Sequence, residues 1–299
     1  LGSTFGPISF RATTTGNTVT TAGQNIKANI TFDGVGGEWT LQDNLTMGSG
    51  AYDGYSITLN NGSLNTNNKT VTVPKFVSTA TNTRTLTLGS SILNLSYFSN
   101  YGWDVNGTNL TLNSGTSTIN MTCNLNGWSP YFNGGGKTYN NLHFTGTALG
   151  GTAKGWLYDG GNTFNGDVTF ASNGSINASN TFNGNVIFYA DGIISNSNTF
   201  NNLTFSPGFT YTLTNGKTQT ITGTLSATGT CTAGIEIKSS NGSATTISKA
   251  SGTVTVDYTT LTSVAATGGA SFTANHATNG GGNSGWTINV LPPQDLYWI

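Results

Sequence analysis

The sequence predicts an all-β chain wound as a single-stranded parallel β-helix, a β-solenoid, and three observations carry that prediction. One phrase is written three times, as NTFNGDVTF (162–170), NTFNGNVIF (180–188) and NTFNNLTF (198–205), with a looser KTYNNLHF (137–144) ahead of it. Thr163, Thr181 and Thr199 follow one another at intervals of 18 residues. Between them the large apolar residues keep a step of six, through Phe164, Phe170, Ile176, Phe182, Phe188, Ile194 and Phe200. A fixed period near twenty residues marks a unit that cannot bury its own apolar face and must stack on its neighbours. Short alternating pairs with Thr between two apolar residues recur elsewhere, at Ile57/Leu59, Val71/Val73, Leu86/Leu88, Leu110/Leu112, Tyr211/Leu213 and Val254/Val256. Period-two alternation buries one face and leaves hydroxyls on the other. Finally, no stretch carries the i, i+3, i+4, i+7 apolar pattern of a helix, which excludes ordinary helical crossovers between parallel strands.

In chain order, residues 1–17 are expected to be a lead-in, residues 18–290 the β-helix, and residues 291–299 the start of a linker or following module after a Pro-Pro break. Asn-Gly and Gly-Ser punctuation flanks each alternating pair, for instance at Asn60-Asn61-Gly62, Asn106-Gly107, Asn215-Gly216 and Asn241-Gly242. Such turns suit hairpins as well as solenoid corners. The solenoid is favoured because the strands are short and the 18-residue phrase repeats whole. With ~18–25 residues per coil and ~4.8 Å between stacked strands, the chain makes a rod on the order of 60–75 Å long. A strict step of six is the arithmetic of a three-sided left-handed helix, but it holds only from residue 164 to 200. Uneven coils with looped-out corners favour the right-handed form over the left-handed one. Three segments break the rhythm: YFSNYGWD (97–104), GWSPYFNGGG (127–136) and GTALGGTAKGWLYDGG (146–161). In a solenoid, insertions of this kind gather as loops on one edge. The last coils follow Gly223 and close at Trp286.

Composition narrows the function. Only 7% of residues are charged, the formal net charge is −1, and 11% are aromatic. A near-neutral chain lacks the basic footprint that nucleic acid demands. No apolar run approaches the ~18 residues needed to span a bilayer, and no basic segment followed by an apolar one opens the chain as a signal peptide would. Both ends look like the middle of something, so the chain is expected to be a piece of a longer protein. The two cysteines, Cys123 and Cys231, have no metal-ligand spacing and are expected to be separate core thiols.

Several phrases are familiar. GGEWTLQDNLT (36–46), NTRTLTLGSS (82–91), GGGKTYNNLHF (134–144) and ATGGASFTANHATNGGGNSGWTI (266–288) resemble long Gly/Thr/Asn-rich β-solenoid surface proteins of environmental bacteria and their phages. The resemblance covers nearly the whole chain and implies an extracellular, cell-surface or virion-surface repeat region within a larger protein. The closing Leu296-Tyr297-Trp298-Ile299 resembles the start of a following Gly/Trp-rich module in such proteins. None of these phrases carries a catalytic residue.

Chemistry is sparse. Glycan-cleaving β-helices need paired carboxylates at defined separations. The one concentration, Asp33, Glu38, Asp43 and Asp53, is spaced as polar turn residues rather than as aligned rungs. His143 alternates between Leu142 and Phe144 and is expected to face solvent, while His276 lies in a loop-like ANHATN. They form neither a metal motif nor a nucleophile triad, so no catalytic, metal or cofactor site is nominated. Calcium repeats of the GGxGxD type are absent. The abundant Asn-x-Ser/Thr triplets, such as those at Asn44, Asn68, Asn109 and Asn202, follow from the composition. The remaining candidates are rings in the irregular segments: Trp103, Trp128, Tyr131, Trp156 and Tyr158, on which sugars would stack, with Asn133 and Asp159 as polar neighbours. The alternative role for such rings is to buttress the core under long loops. The sequence thus points to a non-enzymatic structural or adhesive rod, with a tailspike-type glycan-binding or glycan-cleaving protein as the alternative. Its expected partners are other copies or neighbouring domains at the coil ends, and surface polysaccharide.

Overall fold

The computed structural model describes residues 6–48, 54–97, 101–147 and 153–290. Asp53, the cluster Leu296–Ile299, the whole of 291–299 and the middles of two of the three irregular segments lie outside them. The described residues contain strands and turns and no helix. The strands stack in parallel into a β-solenoid with two long faces, of 16 and 15 strands, and a third sheet of three near the carboxyl end. The main path of the first face passes through thirteen strands, from Ile8–Phe10 to Thr278–Asn279, in twelve coil steps. At ~4.8 Å per step the rod is about 58 Å long, close to the short end of the expectation. The first coil begins earlier than expected. Ile8–Phe10 pairs with Ile30–Phe32 and Asn17–Val19 with Trp39–Leu41, so Ile8–Phe10 and Asn17 of the expected lead-in pair into the solenoid. The ring of Phe10 stacks on Phe32 at 5.0 Å, which fastens that coil to the next.

Alternation puts the core inside the coil, in columns that run the length of the rod. On the first face one inward column runs Ile30, Ile57, Phe76, Trp103, Phe132, Leu157, Ile176, Ile194 and Leu213. On the second face Tyr139, Phe164, Phe182 and Phe200 stack at 5.6, 5.4 and 4.9 Å. Beside them Phe144, Phe170 and Phe188 stack at 4.8 and 4.6 Å. The step of six in the sequence is therefore three inward columns met once each per 18-residue coil. Parallel offset rings add to the stabilisation their burial already provides.

The two faces interlock through glycine. Gly155, Gly174 and Gly192 occupy successive rungs of the first face. A Cβ on each would stand 2.6, 2.5 and 3.0 Å from the rings of Phe144, Phe170 and Phe188 respectively. The absent side chains are what let the phenyl column fit across a narrow coil. On the next coil Tyr211 takes the glycine's place, and Phe205 turns to stack on it at 4.0 Å.

Asparagine does the same work at the corners. The Asn that opens each repeated phrase is buried: Asn180 Oδ1 accepts the Asn162 N–H at 3.0 Å, and Asn198 Oδ1 accepts the Asn180 N–H at 2.8 Å. Asn198 Nδ2 continues the ladder to Gln219 Oε1. A half-buried ladder beside it links Asn141, Asp167, Asn185 and Asn202. The rungs at Asn162, Asn180, Asp167 and Asn185 each satisfy a backbone N–H that the turn leaves without a strand partner, while the Asn198–Gln219 and Asn202–Asn185 rungs join side chain to side chain. Arg84 fills another corner, 1% exposed, donating to Asn82 O, Ser78 Oγ and Thr108 O. Its burial pulls its pKa down, and no salt bridge reaches it among the described residues. Of the two cysteines, both free, Cys123 is buried as expected. Cys231 is exposed, because Thr230 and Ala233 close a tight turn that holds it outside the coil.

Candidate functional site

Outward positions of the first face form a second set of columns. One of them carries Tyr101, Tyr131 and Trp156 on three consecutive coils, in register. Tyr131 and Trp156 lie nearly parallel, 9° apart, with ring centroids 5.8 Å from each other. That centroid spacing exceeds the ~3.5–4.0 Å of direct face-to-face contact, and both residues are half-buried. Tyr158, two residues on from Trp156 and 40% exposed, sets its ring edge-on to Tyr101 at 5.4 Å and to Tyr131 at 5.8 Å. Lys154 holds its ammonium 5.7 Å from the Trp156 ring. Four rings thus share one side of the rod.

Of the five rings the sequence nominated, Tyr131, Trp156 and Tyr158 are brought together here. Trp128 is exposed on the turn that enters the Tyr131 strand. Trp103 is withdrawn into the core, with no exposed surface, stacked between Phe76 at 5.0 Å and Phe132 at 6.1 Å. Its indole N–H donates to the Tyr139 hydroxyl at 3.1 Å. Such a ring offers no face to a sugar, and the nomination of Trp103 is corrected accordingly. The cause is local: Tyr101 pairs with Tyr131, yet Trp103 pairs with Phe132, so Gly102 is an extra residue on its strand. A bulge of this kind reverses the in–out alternation beyond it. The same bulge keeps Tyr101 outside, where the sequence had not placed a site residue.

The polar neighbours are committed to the corner. Asn133 is buried and donates from Nδ2 to Asp104 Oδ1 at 2.9 Å. Asp159 accepts from the backbone N–H groups of Gly134 and Gly135 and from Asn162 Nδ2. They hold the turn under the rings rather than reaching for a ligand. Burial pushes the Asp104 carboxyl up, against donation from Asn106 N–H and Asn133, and the nearby Asp159 charge adds to the rise. The phenol of Tyr101 is pushed up to about 12, first by burial and then by a hydrogen bond with Tyr158.

Elsewhere the titratable groups are dispersed. Asp33 accepts from Asn61, and Asp43 is held below the usual carboxylate range chiefly by the Thr21 N–H. His143 is half-buried, its Nδ1 2.8 Å from Thr169 Oγ1, and burial lowers its pKa. His276 lies near the carboxyl end, 2.8 Å from Asp257 and stacked on Tyr258. Among the described residues no three His, Cys, Asp or Glu gather as metal ligands, and no helix is long and apolar enough to cross a membrane. No protein-family description fits this chain, and neither a curated protein nor a solved structure matches it.

Proposed function

We propose that the protein is a non-enzymatic structural and adhesive rod, displayed outside the cell or on a virion, that holds surface polysaccharide on its aromatic side. The observation that supports this most directly is the outward column Tyr101–Tyr131–Trp156 with Tyr158 beside it. Rings that serve the core face inward in this fold; these four break that rule on consecutive coils. Aromatic faces flanked by hydroxyls and amides suit sugar rings, which carry an apolar C–H face and a polar rim. A stack of coils needs no cofactor to stay stiff, and a charge-poor Thr/Asn surface fits the environment implied by the resembling surface proteins. Binding without cleavage is the narrower claim, because Asp104 and Asp159, the carboxylates nearest the rings, are engaged in the corner. Other copies or neighbouring domains at the coil ends are the further partners this reading calls for.

A glycan array probed with the parent protein and with Trp156→Ala, Tyr131→Ala and Trp128→Ala tests it. The parent is expected to retain neutral polysaccharides, and each loss from the ring column to weaken retention about tenfold, equivalent to ~1.4 kcal/mol. Trp128→Ala is expected to have the smaller effect. No glycan retained by the parent, or retention indifferent to both column changes, would leave a plain structural rod.

A further inference from the structure

The ring column does not end at Trp156. In the same outward register follow Ser175, Ile193, Thr212 and Lys238. Side-chain reach therefore falls sharply after Trp156, stays short for three coils and lengthens again at Lys238. The result is a trough of about 290 Å³, floored by Ile193 and Thr212 and edged by Lys154, Asp191 and Lys238. At the other end of the column, one coil before Tyr131, a smaller hollow of about 140 Å³ lies among Lys75, Val77, Tyr97, Tyr101 and Asp104. Lys75 stands over the Tyr97 ring there at 4.8 Å. The order along the rod is hollow, ring strip, trough.

Both hollows carry balanced charge. Lys75 faces the smaller one together with Asp104. In the trough, Lys154 and Lys238 are matched by Asp191 and by Glu236, whose Oε2 lies 2.8 Å from Lys238 Nζ. Neither end offers a net charge to an ionic ligand, while each offers donors and acceptors to hydroxyls.

Resting on the carbohydrate reading of the strip, we infer that its ligand is an uncharged polysaccharide lying along the rod axis, seated on the rings at its middle and reaching both hollows. From the Lys75 strand to the Lys238 strand there are seven coil steps, about 34 Å at ~4.8 Å each. Across the rod, by contrast, the strands of this face are three to five residues long, so only a few sugars would fit transversely. The axial direction matches a polymer and not a terminal mono- or disaccharide.

Titration of the whole protein with neutral oligomers of glucose, N-acetylglucosamine, mannose and xylose, each from dimer to octamer, tests the inference through tryptophan fluorescence. Affinity for the bound series is expected to climb about tenfold or more between trimer and octamer, with little dependence on salt. Thr212→Trp, which fills the trough from its outward floor, is expected to cause a loss that grows with oligomer length, and Lys238→Ala a smaller loss of the same trend. Affinity that is flat beyond the trimer while still sensitive to Trp156→Ala would overturn the axial site and leave the strip standing. Preference for polygalacturonate with a steep salt dependence would overturn the uncharged ligand. No binding of any series, together with an empty array, would remove the strip reading itself.

Discussion

Tyr101 is wedged between Tyr131 and Tyr158, and its phenol is pushed up to about 12 against an ordinary value of 10.0. Because the group is harder to ionise folded than unfolded, its contribution to stability is complete below pH 10 and is lost as pH rises through about 12. A carbon-13 titration of the tyrosine Cζ signals should place the Tyr101 midpoint near 12. Tyr158→Phe removes the hydrogen bond and should draw Tyr101 back toward 10, whereas an unmoved midpoint would mean that the two hydroxyls are not paired. The neighbouring Trp103 shows how fine the division between core and surface is. Two residues apart in sequence, the two rings differ in role because Gly102 bulges. A side chain there would meet the Met121 Cε at 2.9 Å.

The coil is the next unit up, and its width is set by pairs drawn from opposite faces. Gly174 lies four residues after Phe170, and Gly192 four after Phe188, each leaving room for the ring that precedes it. Gly174→Val would drive a branched side chain into Phe170 and should destabilise the protein by about 1–3 kcal/mol, as overpacking does. Phe182→Ala, in the adjoining stack, should cost roughly 3–5 kcal/mol through the cavity it opens. Urea unfolding of both variants measures this, and near-parent midpoints would contradict the interlocked core. The same scale explains what could be read from sequence. Between residues 164 and 200 the coils have 18 residues and no inserted loops, so the step of six exposed the three inward columns, Phe164–Phe182–Phe200 and Phe170–Phe188 included. Around residues 101–132 the coil lengthens to 30 residues and carries a bulge, so the segment read as irregular and Trp103 was taken for one of its outward rings. The Phe–Gly spacing was present in the text of the sequence, yet its meaning depends on which face each residue joins. Ile8–Phe10 went unrecognised as a strand because a single three-residue alternation has no period of its own. The trough beyond Trp156 was hidden for another reason: a hollow made by small residues in register is invisible until the register is known.

At the scale of the whole molecule, stability and function occupy different surfaces of the same stack. Inward columns and buried asparagine ladders tie each coil to the next, so the rod's stiffness is spread along its length as in other repeat architectures. Outward positions are then free to vary, and Tyr101, Tyr131 and Trp156 gather on one side over three consecutive coils. Adhesion along the rod requires that long axis in solution. Distance measurement between two nitroxide labels tests it most directly, with cysteines placed at Thr31 and Thr260 and with Cys123 and Cys231 replaced by serine and alanine. These positions lie on the first face, separated by ten coil steps, about 48 Å at ~4.8 Å per step. The account predicts a single narrow distribution centred near 50 Å, whereas a broad distribution or one centred below about 35 Å, as in a sandwich of stacked sheets of similar mass, would contradict the rod.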